Sequence, residues 1–183
     1  MDGLTLDRAL KSCSVTRPYY KGIYSIDTVP PSLLRRAKTY PFFVIVNTGT
    51  AGTAGKHWLV YFYLNSRLVE IFDSLGQSPY AYGKHMKQFI VQNTNVKFNY
   101  VNKRLQSLKS NVCGAHCLFF AYKKCYKKLS LAVLVHRFYL DDPEYNDCRV
   151  LCFAKTRFHI RAQMISQMLR TTRCNLNECA NAE

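Results

Sequence analysis

Apolar residues run at strand length through the first half of the chain and recur at helical spacing in the second. The segment YPFFVIVNT is β-branched and aromatic, and it is bounded by Pro41 and by the Gly/Thr loop GTAGTAG, which predicts a strand. After the loop, HWLVYFYL and LVEIFDS flank the short polar NSR and read as a hairpin with aromatic faces. VKFNYVNKR offers a further alternating strand. Upstream, residues 4 to 14 fit a short helix, and RPYYKGIYSIDTVPPS is an extended, Pro- and Gly-punctuated stretch. From Cys113 the period changes: Gly114, Cys117, Leu118, Ala121 and Cys125 share a helical stripe, and Phe119 and Phe120 make the first turns apolar nearly all round. That half should be buried, with the Lys-rich second half emerging into solvent. DDPEYND interrupts the pattern, residues 147 to 170 read as one or two basic, Met-rich helices, and the tail from Thr171 reads as extended. Strands first and flanking helices afterwards predict an α+β fold, with a small mixed or antiparallel sheet packed on a central buried helix.

Length and composition refine this picture. The 183 residues suit a single domain, 1–183, with a core over about 15–140 and a C-terminal basic helical segment over 141–183. With 48% hydrophobic and 14% aromatic residues the chain is globular rather than disordered. The 26 Lys and Arg against 11 Asp and Glu leave +15, which predicts a polyanionic partner, nucleic acid first of all. The charge lies in small clusters, and Arg35, Arg36, Lys103, Arg104, Lys123 and Lys127 are the candidate DNA contacts. No run approaches the roughly 18 apolar residues of a membrane span, and MDGLTLDRAL lacks a secretory pattern. A soluble, non-secreted, monomeric protein is expected. Eight Cys, about 4% of a chain without that pattern, are expected to be mostly thiols.

A thiol nucleophile needs a base, a group that orients the base, and donors for the oxyanion formed on attack. Cys113 sits where the helical pattern begins, so the helix dipole favours its thiolate, and Gly114 leaves room for a substrate backbone. His57 opens a strand after the Gly-containing loop, and Asp73 lies near the end of the next strand, sixteen residues on. In an antiparallel hairpin those two places are neighbours, so Asp73 can hold the imidazole. Gln106, seven residues before Cys113, can supply a side-chain oxyanion donor beside the Cys113 main-chain N–H. His116 lies three residues beyond Cys113 and reads as a packing or supporting residue. The pairs Cys113/Cys117 and Cys148/Cys152, each spaced i, i+4, raise a zinc site. Structural zinc sites more often take their Cys from turns, and Cys117 and Cys125 lie on the apolar stripe, so no metal is expected.

Taken together, GKHW, FDSLG, Gln106 and NVCG resemble the adenain family of adenovirus-type maturation proteases, within the wider ubiquitin-like-protein protease group. PYYKGIY is similar to that family's aromatic-Gly-Tyr segment, and VIVNTGTAGTAGKHW to its strand and Gly loop before the His-Trp pair; the seven-residue Gln-to-Cys spacing agrees. The likeness covers roughly residues 18–122. It implies Cys113 as nucleophile, His57 as general base and then acid, Asp73 as orienting acid and Gln106 as oxyanion donor. Asp73 stands where the adenain family has Glu and the cellular relatives have Asp.

The resemblance further implies hydrolysis of viral capsid or core precursors through a thioester, after small residues of Gly type, in the host nucleus and virion. It also implies DNA as a binding cofactor and a basic, Cys-bearing activating peptide that adds a strand and forms a disulfide. No Cys lies between Cys13 and Cys113 to receive that disulfide, yet QMLRTTRC resembles the peptide. Arg170, Arg173 and Cys174 therefore mark a candidate cis-activating segment. The competing readings are a ubiquitin-like modifier deconjugase and a non-catalytic basic nucleic-acid-binding module.

Overall fold

The computed structural model describes residues 1–30, 32–33, 39–53, 55–93 and 96–160. Helix α1 (Gly3–Ser12) is capped by Asp2, whose carboxylate accepts from Thr5 N at 2.8 Å. Strands β1 (Tyr20–Ser25), β2 (Phe42–Asn47), β3 (Trp58–Asn65) and β4 (Leu68–Phe72) follow. A 3₁₀ turn (Pro79–Tyr82), α2 (Lys84–Gln92) and β5 (Lys97–Tyr100) lead to α3 (Cys113–Lys127), α4 (Leu131–Val135) and α5 (Pro143–Phe158). The five strands form one mixed sheet in chain order. The outer pairs β1–β2 and β4–β5 are parallel, while β2–β3 and β3–β4 are antiparallel. The fold is α+β.

The unbroken apolar runs of β2 and β3 follow from burial on both faces. Phe43, Ile45, Val60 and Phe62 pack with Leu118, Phe120 and Ala121 of α3; Phe72 of β4 stacks on Phe120 with centroids 4.3 Å apart. The opposite face, with Phe42, Val44, Leu59, Tyr61 and Tyr63, is covered by Met86, Phe89 and Ile90 of α2. The sequence reading places no helix at 84–92: its apolar positions are few, and the helix is selected by the sheet face it covers. The core also passes both limits of 15–140, since Leu6, Leu10, Val150 and Leu151 are fully buried in it. DDPEYND starts a helix rather than only interrupting one. Asp142 caps α5 through Tyr145 N at 2.8 Å, and Pro143 occupies its first turn, where a missing N–H costs nothing.

Cys148 and Cys152 on α5 are disulfide-bonded, which corrects the expectation of thiols there. Pairing depends on which sulfurs the tertiary fold brings together, and composition carries no record of that. Cys13, Cys113, Cys117 and Cys125 are free thiols.

Within the α3–sheet layer lies an ion pair. Lys124, 5% exposed, sets its ammonium against Glu70 Oε2 of β4, also 5% exposed, and over the Phe62 ring at 5.3 Å. Removing one partner strands a buried charge, whereas removing both does not. Lys124→Met alone should therefore lose about 3–5 kcal/mol, and Lys124→Met with Glu70→Leu should recover most of it. Urea denaturation measures both, and an unchanged midpoint in the single variant would exclude a buried pair that matters.

Candidate active site

Continuing the β3–β4 register from Val60 opposite Phe72 puts Leu59 opposite Asp73, so His57 is the diagonal neighbour of Asp73. The two meet: His57 Nε2 lies 2.7 Å from Asp73 Oδ1, with the side chains 8% and 2% exposed. Cys113 is the first residue of α3, and its thiol and the His57 imidazole act on each other's protonation. With Nε2 committed to Asp73, Nδ1 is the ring nitrogen left for the thiol. Val112, before Cys113, provides no side-chain cap, so the first N–H groups of α3 face the sulfur's end of the helix without a competing acceptor of that kind.

The pair is poised for charge separation. Burial works against an imidazolium, but the hydrogen bond to Asp73, then the hydrogen bond and Coulomb attraction to Cys113, outweigh it and raise His57 to about 9. Burial likewise works against a thiolate. His57, followed by the Trp58 main chain, overcomes it and brings the Cys113 thiol below its usual range.

Asp73 is held by groups that sequence reasoning missed. Its Oδ1 also accepts from Leu75 N at 2.8 Å, and its Oδ2 accepts from Gln77 N at 3.0 Å and from the Tyr82 hydroxyl. The Tyr82 ring lies stacked against His57, 6.3 Å between centroids. Tyr82 follows Pro79 in a polar, turn-rich stretch, and nothing in its spacing marks it.

Gln106 is buried and fully tethered. Its Oε1 accepts from Ser74 Oγ at 2.7 Å, and its Nε2 donates to Ser110 O at 3.0 Å, leaving the second amide hydrogen of Nε2 for another acceptor. Leu105 N and Gln106 N both donate to Ser74 O, at 2.8 and 2.9 Å. Adjacent residues of one turn thus serve the two halves of the site: Asp73 holds His57 and Ser74 holds Gln106. Gly76 closes that turn with φ +67°, and a Cβ there would come within 2.5 Å of the Lys103 carbonyl carbon. FDSLG was legible as an acid beside a glycine, but the role of its serine was not.

Gly114 departs from expectation. It is buried, and a Cβ on it would come 3.0 Å from Met1 Cβ and 3.5 Å from the Leu6 methyls, so its missing side chain makes room for α1 rather than for substrate. His116 bonds through Nε2 to Asp147 Oδ1 at 2.8 Å rather than to Cys113. Cys148 and Cys152 are spent in disulfides, and among the described residues no cluster of three or more His, Cys, Asp or Glu could hold a metal. A groove of about 580 Å³ is lined by residues including Met1, Ile23, Tyr24, Asn47, Gly55 and Trp58, and by none of His57, Asp73, Gln106 and Cys113.

The basic candidates divide. Lys103 and Arg104 are exposed, with Lys103 packed against the Asp73–Gly76 turn. Lys123 and Lys127 sit on the second half of α3, roughly 15–20 Å along the axis from Cys113. Arg35, Arg36, Arg170, Arg173 and Cys174 lie outside the described residues.

No known family profile matches the chain, and no curated protein matches it. Solved structures do. The crystal structure of the ASFV pS273R protease matches with a TM-score of 0.54 at 17% identity, over 88% of this chain and 68% of that one. A deletion variant of AvrA, solved with IP6 and CoA, matches with a TM-score of 0.51 at 17% identity, over 96% of this chain and 70% of that one. The chain shares the α+β fold of these two proteins. Identity this low establishes the fold alone, so the chemistry rests on the geometry above.

The pKa shifts give the site a pH signature. Alkylation of Cys113 by iodoacetamide should persist at pH values where an ordinary thiol is silent, and His57→Ala should abolish that low-pH reactivity. The raised His57 value gives a charged imidazole that adds stability below its unfolded pKa of about 6.5 and loses it as pH rises through about 9. Chemistry that uses the imidazolium as an acid should fall over the same rise. An alkylation profile that follows a free thiol in the intact protein would contradict the pairing.

Proposed function

We propose that this chain is a cysteine endopeptidase of adenain type. The observation that carries the reading is that buried Asp73 and His57, 2.7 Å apart, meet the half-buried Cys113 at the start of α3. In this reading the Cys113 thiolate attacks the scissile carbonyl carbon, and the oxygen that becomes negative accepts from the free amide hydrogen of Gln106 and from the Cys113 main-chain N–H. The His57 imidazolium then gives its proton to the departing amine as the C–N bond breaks, leaving a thioester on Cys113. Neutral His57 takes a proton from water, the resulting nucleophile attacks the thioester, and the thiol and the carboxylic product are released. Asp73 stays ionised throughout and holds the ring.

The substrates in this reading are viral capsid or core precursor proteins, cut after small Gly-type residues during virion maturation, in the host nucleus and in the virion. Double-stranded DNA is the proposed binding cofactor, engaged by a monomer. Support comes from the +15 charge and from a cationic cluster in which Lys123 is surrounded by Arg137, Arg157, Lys127 and Arg149. None of Lys123, Lys127, Arg137 and Arg149 is in an ion pair among the described residues.

Cys113→Ala should reduce cleavage of a Gly-containing precursor to background while leaving DNA retention unchanged; surviving cleavage would remove Cys113 from the chemistry. Lys127→Gln with Arg137→Gln should lower the slope of log affinity against log salt by about 1–2 while leaving hydrolysis of a short peptide intact. An unchanged slope would move the nucleic-acid contact elsewhere.

A further inference from the structure

Two polar residues of α5, Asn146 and Asp147, are wholly buried, and their hydrogen bonds go to residues other than His57, Asp73 and Cys113. Buried amides and carboxylates persist where hydrogen bonds satisfy them, and here the bonds lead to three places: the 105–107 segment, Tyr139 and His116. Asn146 Nδ2 donates to Leu105 O at 3.0 Å and to Tyr139 O at 2.6 Å, while its Oδ1 accepts from Tyr139 N at 2.9 Å. Asp147 Oδ2 accepts from Ser107 N at 3.1 Å, and its Oδ1 pairs with His116 Nε2 at 2.8 Å. The residues on either side of Gln106 are therefore held by adjacent residues of α5. His116, which completes the chain, stands on α3 one helical turn beyond Cys113.

We propose that Asn146, Asp147 and His116 are positioning residues that fix the amide of Gln106 relative to the sulfur of Cys113. The inference rests on the protease reading above, because it gives the 105–107 segment a reason to be held. Nucleophile and oxyanion donor come from different segments, and a shift of about 1 Å between them can cost about 100-fold in rate. The chain Ser107–Asp147–His116 spans that gap with hydrogen bonds of fixed direction. His116 is fully buried, and its Nδ1 has no hydrogen-bond partner. This fits a neutral ring with the proton on Nε2, donating to Asp147 and leaving only a bare acceptor behind. Phe138 stacks on the ring at 5.7 Å and restricts its rotation. Ser74 secures Gln106 from the sheet, and α5 secures the loop around it from the helical layer.

Asp147→Asn keeps the shape but cannot accept from both Ser107 N–H and His116 N–H through one oxygen. On a short peptide substrate its kcat should fall about 10–100-fold, less than the 10²–10³-fold expected on losing an oxyanion donor outright, with KM within about twofold. Alkylation of Cys113 by iodoacetamide should keep the wild-type rate, because displacement at a saturated carbon builds no oxyanion. Combining Asp147→Asn with Gln106→Ala should be no worse than Gln106→Ala alone, since both act through one amide. Multiplying effects, or alkylation falling in step with kcat, would overturn the inference while leaving the protease reading standing. A wild-type protein that alkylates rapidly but hydrolyses no peptide would overturn both. If Asp147→Asn does not fold, Asn146→Ser tests the same loop through Leu105 O, with the same expected pattern and the same overturning results.

Discussion

The site depends on one tight turn, Asp73 to Gly76, at the exit of β4. Its carboxylate holds the imidazole, its serine holds the glutamine amide, and its main-chain carbonyl at Ser74 accepts from both Leu105 and Gln106. The turn can serve two segments only because its own main chain is tied down: Leu75 and Gln77 donate to the Asp73 carboxylate. Gly76 then allows the chain to pass against Lys103 where a side chain would collide with the backbone. The sheet contributes the other constraint. The antiparallel β3–β4 pair fixes where His57 stands relative to that turn to within a residue, since a slip by one would send the imidazole to the opposite face.

Burial gives this geometry its electrical consequence. In water an imidazole and a thiol would both be largely neutral near pH 7. Here Asp73 lies almost without solvent behind the ring, and its hydrogen bond, followed by the interaction with Cys113, raises the imidazole while His57 lowers the thiol. The same low-dielectric interior keeps His116 neutral: burial outweighs Asp147 and lowers its pKa. The imidazoles of two His–Asp pairs in one domain thus shift in opposite directions, since His57 interacts with Cys113 as well as Asp73 while His116 is wholly buried against Phe138.

Much of this was legible from residue patterns. The runs in β2, β3 and β4, and the change of period at Cys113, report burial directly, and they placed His57, Asp73 and Cys113 at the ends of the right elements. Helix α2 was not legible, because four apolar residues among Lys, His and Gln, one of them exposed, make a weak stripe, and only the aromatic face of the sheet gives it a reason to form. Tyr82 and Ser74 were equally silent, since a hydroxyl in a turn ordinarily faces solvent. Gly114 was misread for a related reason. The absence of a side chain shows that something comes close, but not whether it is substrate or, as here, α1.

By itself, then, the chain determined its α+β class, the strand and helix that present the base and the nucleophile, and the large positive charge, because these follow from local periodicity and composition. Only the tertiary structure decided that Asp73 reaches His57, that Gln106 is gripped by Ser74 and Ser110, that His116 belongs to Asp147, and that Cys148 and Cys152 are disulfide-bonded. Each of those depends on contacts between segments far apart in the chain, whose distances are set by packing and leave no trace in the spacing of residues along it.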